Sequence, residues 1–285
     1  MNKVAKNITV TKYSGETTPF DMEKLRQSLK RSGTEEDVIE AVVEQVLQSL
    51  YEGITTKEIY KKAFALLRKK ARPAAARYNL KKALFEMGPT GFPFELFIAE
   101  LLKAKGFTTQ TGQLVQGHCV QHEVDVIAVK GETHFMVECK FHSDQGRHCD
   151  VKIPLYIQSR FKDVEAAWLK KPGHNINFHQ GWVATNTRFT SDAIQYGKCV
   201  GLHLFSWDYP FNNALKEWVS ETGSHPVTCL TTLSHKEKQL LLDQKIVVCR
   251  QLCDKPEALN LLALSESRKR KVMEEAKGVC TIQSP

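Results

Sequence analysis

The chain has 285 residues, of which 42% are hydrophobic and 25% are charged, and its formal net charge at pH 7 is +8. This length accommodates two or three modest hydrophobic cores. No stretch approaches the roughly 20 apolar residues of a membrane span. The start, MNKVAKNITVTKY, lacks the apolar region of a signal peptide, so we expect a cytoplasmic protein without a membrane partner.

The positive charge is unevenly distributed along the chain. Residues 1–90 hold 17 basic and 11 acidic residues, a net charge of +6. Residues 91–220 are balanced, with 13 of each, and residues 221–285 carry a net charge of +2. A basic chain ordinarily indicates nucleic acid binding. Here the excess positive charge lies mostly outside residues 91–220.

The N-terminal segment opens with VTKYSGETTPFDMEKLRQSL, which predicts a strand, a turn at Gly15, a second extended piece and a helix. The remainder has helical periodicity that is broken at Gly53. We therefore predict a small, mostly helical domain with a β-hairpin over residues 1–90.

The pattern V-x-K-x-x-G-x4-FD-x-x-K, from Val10 to Lys24, together with AARYNLKKAL, resembles the ATP-cone, a nucleotide-binding regulatory domain. The resemblance implies that Lys12 and Lys24 contact the phosphates of ATP or dATP, with Arg77 as a weaker candidate. The alternative is that these residues are ordinary surface charges. No GKS or GKT ending of a P-loop is present in the hairpin, so nucleotide hydrolysis is not expected.

The central segment begins with FPFELFIAELLKAKGF, which predicts a helix carrying Glu95 beside its apolar face. Residues 122–144, HEVDVIAVKGETHFMVECKFHSD, predict an antiparallel hairpin with a glycine turn. Glu138 and Lys140 project from the same face of its second strand. Helix, strand, helix and strand follow, so we predict an α/β/α arrangement with a mixed sheet over residues 91–220.

Charged groups at the end of apolar strands are costly to desolvate without a partner. A divalent cation between Asp125 and Glu138 would compensate them, with Lys140 near a water or a phosphate. Hydrated charges at a fraying strand end are the alternative.

The order Glu95, Asp125 and the D-x12-ECK spacing to Lys140 resembles the PD-(D/E)XK nuclease superfamily, in its Mrr-like, type IV restriction endonuclease branch, over about residues 91–210. The resemblance implies hydrolysis of DNA phosphodiester bonds with Mg²⁺ or Mn²⁺. Asp125 and Glu138 would be metal ligands, Lys140 would lie near the attacking water, and Glu95 would support the site. Gln158, on the following helix, is implied as a further polar active-site residue.

The C-terminal segment, residues 221–285, contains short helices with repeated leucine spacing. It resembles a degenerate tandem helix-hairpin-helix, a module that holds the DNA backbone through hairpin amides, with Lys245 and Ala263 at the hairpin positions. The run Arg268 to Lys271, RKRK, either touches phosphates or forms a solvated helix face.

Two functions from different classes follow. One is a metal-dependent endonuclease regulated by a bound adenine nucleotide. The other is a nucleotide-sensing DNA-binding regulator with an inactive nuclease fold. Because each chain has one such site, cleavage of both DNA strands would require either a homo-oligomer or two successive cleavage events.

Overall fold

The computed structural model describes residues 8–12, 15–168, 170 and 178–281. Within those ranges, no helix is both long and apolar enough to cross a bilayer.

The N-terminal unit is mostly helical with a small antiparallel hairpin, as predicted. Asp21 caps the first helix by accepting the backbone N–H of Lys24 at 3.1 Å. A reciprocal capping box between Thr55 and Glu58 starts the third helix. The apolar faces of these helices enclose a separate core around Leu29, Val42, Ala63 and Leu67. Its elements are β1 (Thr9–Thr11), β2 (Thr17–Pro19), α1 (Met22–Arg31), α2 (Glu36–Leu47), α3 (Thr56–Lys70) and α4 (Arg72–Tyr78).

The central unit contains a five-stranded mixed sheet with strand order β3-β4-β5-β7-β9. β3, β4 and β5 are antiparallel, and β5, β7 and β9 are parallel. The elements are α5 (Leu80–Phe85), α6 (Phe92–Ala104), β3 (Thr108–Gln116), β4 (Gln121–Lys130), β5 (Thr133–Lys140), β6 (His148–Cys149), α7 (Lys152–Trp168), β7 (Phe178–Thr185), β8 (Arg188–Phe189), α8 (Ser191–Val200), β9 (His203–Phe205) and α9 (Leu215–Thr222).

The sequence predicts the hairpin of β4 and β5 and its glycine turn, and the structure confirms both. Gly131 has φ of +61°, and Lys130 pairs with Thr133 across the two-residue turn. The edge strand β3 was not predicted. Its sequence, TTQTGQLVQ, is polar, and its side chains are exposed or half-buried, so it lacks the apolar alternation that marks a strand.

Helices cover both faces of the sheet, as predicted. Val126 and Val137 pack on the face that holds α6. Met136 packs with Phe161 of α7 on the opposite face, and Val183 packs there with helix α8. The paired parts of β4 and β5 are therefore buried from both sides, and the charged residues of the two strands lie at or beyond the ends of the ladder that joins them.

The C-terminal segment is helical, as predicted, and shares its core with the central unit. Leu84 of α5 belongs to the same apolar cluster as Leu241 and Val279. Thr228 also donates a hydrogen bond of 2.7 Å to the carbonyl of Ala83. The elements are a 3₁₀ turn (Val227–Cys229), α10 (His235–Asp243), α11 (Cys249–Asp254), a second 3₁₀ turn (Pro256–Leu261) and α12 (Glu266–Cys280).

The turn between α10 and α11 keeps the backbone of a glycine hairpin without the glycine. Lys245 has φ of +61°, and the N–H groups of Lys245 and Ile246 bond to the last carbonyls of α10. The N–H groups of Val247 and Val248 donate to the side chain of Gln251 at 2.8 and 3.1 Å. All four amides are satisfied within the chain, so a phosphate would have to displace one of these bonds.

Candidate active site

A cavity of about 380 Å³ opens where β4 and β5 end, beside α7. Asp125, Glu138 and Lys140, which the sequence predicts as a group, all line this cavity. The remaining lining residues are Gln121, His122, Glu123, Tyr156 and Arg160.

Asp125 lies just beyond the end of the β4–β5 ladder, which closes at the pair Val126 and Val137. Its carboxylate accepts the backbone N–H of Cys139 at 2.7 Å, and this bond directs it toward Glu138. Burial raises the pKa of Asp125 to about 6, the charge of Glu138 adds to the rise, and the Cys139 amide opposes it.

Glu138 is buried and joined to two cations. One carboxylate oxygen is 2.6 Å from Lys140 Nζ, and the other is 2.6 Å from a guanidinium nitrogen of Arg160. Burial on its own would lower the pKa of Lys140, but the hydrogen bond and the charge of Glu138 together raise it. Arg160 also donates to the backbone carbonyl of Glu123, which fixes the guanidinium over the carboxylates.

Glu95 approaches the cluster from the first turn of α6. Burial raises its pKa to about 7, and repulsion from Asp125, Glu123 and Glu138 adds to the rise. Lys140 partly offsets that repulsion. Two carboxyl groups with raised pKa values thus lie within one another's fields, which is characteristic of functional sites.

The donor set of the cavity fits one hard divalent cation. Three carboxylates, Glu123, Asp125 and Glu138, line the cavity and outnumber its two cations, Lys140 and Arg160. Glu95 adds a fourth carboxyl group that interacts electrostatically with all three. In the described part of the chain, no three His, Cys, Asp or Glu side chains converge to form a complete metal site. Mg²⁺ commonly takes only one or two protein carboxylates and fills its other positions with water and substrate phosphate. Asp125 and Glu138 match that requirement.

Arg160, Tyr156 and Glu123 are cavity residues that the sequence reasoning missed. Glu123 precedes Asp125 by two positions in one strand, so alternation could have placed it on the same face. Tyr156 and Arg160 are one helical turn apart, and the guanidinium carbon lies 5.4 Å from the ring centroid. Gln158 is not among the lining residues, and its side-chain oxygen is buried without a hydrogen-bond partner among the described residues.

The residues predicted to bind nucleotide lie on the N-terminal unit but differ in exposure. Lys12 pairs with Glu16 at 3.1 Å and is about half exposed, and Lys24 pairs with Asp21 at 3.4 Å and is largely exposed. The Arg77 side chain is instead part-buried and bonded to backbone carbonyls.

The Arg77 guanidinium donates hydrogen bonds to the carbonyls of Ser32 and Gly278 at 2.7 and 2.6 Å. Burial lowers its pKa. These contacts join the N-terminal unit to α12, and a nucleotide phosphate would have to replace them to reach Arg77.

Comparison with known proteins agrees with this architecture. Family models match three consecutive parts of the chain: an ATP cone domain at residues 8–81, a restriction endonuclease at residues 87–208, and an AF1548-like C-terminal region at residues 225–280. An uncharacterized protein from Archaeoglobus fulgidus is 36% identical over 183 residues, which is 64% of this chain and 99% of the relative. The chain belongs to the AF1548-like family.

A solved relative supports the same assignment. It is described as the crystal structure of protein of unknown function AF1548, and it matches with a TM-score of 0.54 and 33% identity. The match covers 67% of this chain and 98% of that chain. The chain described here joins an ATP cone domain to a restriction endonuclease domain in one polypeptide.

Proposed function

We propose that the chain is a metal-dependent DNA endonuclease whose active site is built on Asp125, Glu138 and Lys140. The observation that supports this most directly is the excess of carboxyl groups at the cavity. Three of them line it, Glu95 interacts with them, and the pKa values of Asp125 and Glu95 are raised toward neutrality. A fold used only for binding has no physical need to hold such charges together.

Asp125 and Glu138 are the residues that would hold Mg²⁺ or Mn²⁺, and Glu95 would support them. The metal would lower the pKa of a water molecule and offset charge on the phosphoryl oxygens. Lys140 Nζ, held 2.6 Å from Glu138, is positioned to orient that water or to stabilise the developing negative charge. Metal binding should release protons from Asp125 and Glu95, because both hold them at unusually high pH.

Arg160 links DNA arrival to metal binding in this proposal. In the structure its guanidinium occupies one oxygen of Glu138 and thereby competes with a metal. A DNA phosphate can take over the guanidinium as a bidentate partner. Glu138 would then be released to the metal as the scissile phosphate enters.

The ATP cone domain supplies the regulatory half of the proposal. We infer that it binds ATP or dATP through Lys12 and Lys24 and acts on the nuclease at a distance. The bond from Arg77 to the carbonyl of Gly278 connects this domain to the helices that complete the nuclease core. A nucleotide that binds one arrangement of this contact more tightly would shift the equilibrium between conformations of the whole chain toward that arrangement.

Plasmid nicking by the purified chain, with Mg²⁺ or with EDTA, tests the proposal. Wild type should nick only with the metal, and Glu138→Gln should lose activity while its DNA affinity stays within about twofold. Glu132→Gln, in the exposed turn of the same hairpin, is the matched control and should cleave normally. Undiminished nicking by Glu138→Gln would refute the assigned site.

The binding-only regulator has one observation in its favour, because both oxygens of Glu138 are already paired with cations. It predicts that wild type binds DNA tightly but does not nick it with either Mg²⁺ or Mn²⁺. The same plasmid assay therefore separates the two functions.

A further inference from the structure

A second cavity, basic in character, lies between the ATP cone domain and the C-terminal helices. Its volume is about 620 Å³, larger than the cavity beside the carboxylates, and the two share no lining residue. Five of its seven lining residues are lysine or arginine. One bank is formed by Arg68, Lys69 and Arg72, and the other by Thr231, Thr232, Arg268 and Lys271. We call this cavity the basic cleft.

Most of the cations in the basic cleft have no counter-charge among the residues that the structure describes. Among the described residues, the side chains of Arg68, Lys69, Arg72 and Lys271 form neither an ion pair nor a hydrogen bond. The fifth cation, Arg268, is paired with an acidic residue.

Two carboxylates offset part of this charge. Glu237 lies 2.8 Å from Arg268. Glu275 is buried behind the two threonines, whose backbone and hydroxyl groups donate four hydrogen bonds to it. Among the described residues, five cations against these two carboxylates give the cleft a net excess of three positive charges.

Packing between α4 and α12 holds the two banks together despite this repulsion. A Cβ on Gly278 would lie 2.6 Å from Pro73, so the helices are in close contact. Arg77 bonds to the carbonyl of the same glycine at 2.6 Å. The cations cannot separate without breaking that contact, and an anion in the cleft would relieve their repulsion.

The chemistry of the walls identifies the class of anion. None of the described lining residues is aromatic or aliphatic, so a base or an acyl chain has no surface to stack on. Arginine offers a planar fork of donors that matches phosphate oxygens, and lysine offers a point charge. Several cations across one cleft suit a ligand with more than one phosphate.

We propose that the basic cleft binds adjacent phosphate groups of a ligand, at a site separate from both the carboxylate cavity and Lys12 and Lys24. The phosphates come either from a free polyphosphate or from the backbone of DNA. Because the ligand contacts both banks, it stabilises the contact between the ATP cone domain and the rest of the chain. This inference does not depend on the chain being a nuclease.

Calorimetry on the full chain in EDTA tests the basic cleft, with inorganic tripolyphosphate and a short DNA duplex as separate probes. The test variant is Arg72→Gln with Lys271→Gln, which removes one cation from each bank. Its control is Lys62→Gln with Arg270→Gln, which removes the same charges from exposed positions of α3 and α12 outside the cleft.

We expect the test variant to bind at least one probe about tenfold more weakly than the control, a difference of about 1.4 kcal/mol, because it loses one cation from each bank and solvent screens both exposed charges. A tripolyphosphate effect identifies a free polyphosphate, and an effect on the duplex alone identifies the DNA backbone. Equal affinities of test and control variants for both probes would overturn the proposal. Unliganded melting temperatures should be equal or higher in the test variant, because its substitutions reduce repulsion between exposed cations.

Discussion

Asp125 and Glu95 have surroundings that favour the protonated carboxyl, and this property links the site to stability. Their pKa values rise from ordinary values of 3.8 and 4.5 to about 6 and about 7. The folded chain therefore retains protons at a pH where the unfolded chain has released them. As pH rises from the unfolded to the folded pKa values, these two groups lower the free energy of unfolding. The loss of stability is complete once the pH is above the folded pKa values.

Asp125→Asn should remove the part of this destabilisation that arises from ionisation of Asp125. The amide oxygen can still accept the Cys139 N–H, so the variant should gain stability over wild type between pH 4 and pH 7, by on the order of 1–3 kcal/mol. Denaturant unfolding of the metal-free proteins at both pH values measures the gain. Asp192→Asn, at an exposed position of α8, should show no such gain. A gain for Asp125→Asn that is already complete at pH 4 would contradict the assigned cause.

Arg160→Gln should bind Mn²⁺ more tightly than wild type in the absence of DNA. The substitution removes the cation paired with Glu138, so we expect the dissociation constant to fall by about fivefold to tenfold. Cleavage should fall at the same time, because the proposed phosphate partner is lost. Titration calorimetry and plasmid nicking measure the two effects.

The control for Arg160 is Arg188→Gln, which breaks an ion pair of 2.7 Å with Asp208 away from the cavity. It should change neither the affinity for Mn²⁺ nor the rate of cleavage. Weaker Mn²⁺ binding in Arg160→Gln, with an unchanged melting temperature, would show that Arg160 does not compete with the metal.

At the scale of elements, α12 connects the parts of the chain. It contributes Val272, Ala276 and Val279 to the core that α5 and α6 share with the sheet, and it presents Gly278 to α4. Deleting residues 225–280 would therefore expose apolar surface of the central unit, in addition to removing any DNA contact. Point substitutions are the better test of this segment.

Gly278→Ala should destabilise the protein although it places a better helix former in α12. In an open helix this change adds about 0.5–1 kcal/mol of stability. Here the new methyl group meets Pro73, and overpacking of this kind costs about 1–3 kcal/mol. Lys277→Ala, at the exposed neighbouring position, should be neutral or slightly stabilising. If Gly278→Ala were stabilising in urea unfolding, α4 and α12 would not be in close contact in solution.

At the scale of the whole molecule, the ATP cone domain has its own core, while the nuclease unit and the C-terminal helices share another. The contacts of Arg77 and Gly278 join these two bodies. Such an arrangement lets a ligand on one body act on the other through a small interface. The nucleotide and the phosphates of the basic cleft would both act there.

ATP or dATP should raise the melting temperature of wild type as its concentration increases, since a ligand at 100 times its dissociation constant adds about 2.7 kcal/mol. Lys12→Ala with Lys24→Ala should abolish the shift. Lys57→Ala with Lys61→Ala, at exposed positions of α3, should retain it. Absence of any shift in wild type would end the regulatory proposal, and a shift that survives loss of Lys12 and Lys24 would move the site.

The sequence by itself determined the order of the units and most of their elements. Alternating apolar residues predicted β4 and β5, and the D-x12-ECK spacing with the resemblance that it carries predicted Asp125, Glu138 and Lys140 as a group. These features depend on local periodicity, which burial of one face imposes on a strand or a helix. The polar edge strand β3 carried no such signal and was missed.

Only the tertiary structure decided which distant groups meet. Arg160 reaches Glu138 because α7 packs across the sheet, and Arg77 reaches Gly278 across 201 residues of chain. The basic cleft likewise combines α3 and α4 with α12, whose RKRK run alone was equally consistent with a solvated surface. Contacts of this kind depend on how helices dock, and docking is fixed by the shapes of buried side chains rather than by local sequence periodicity.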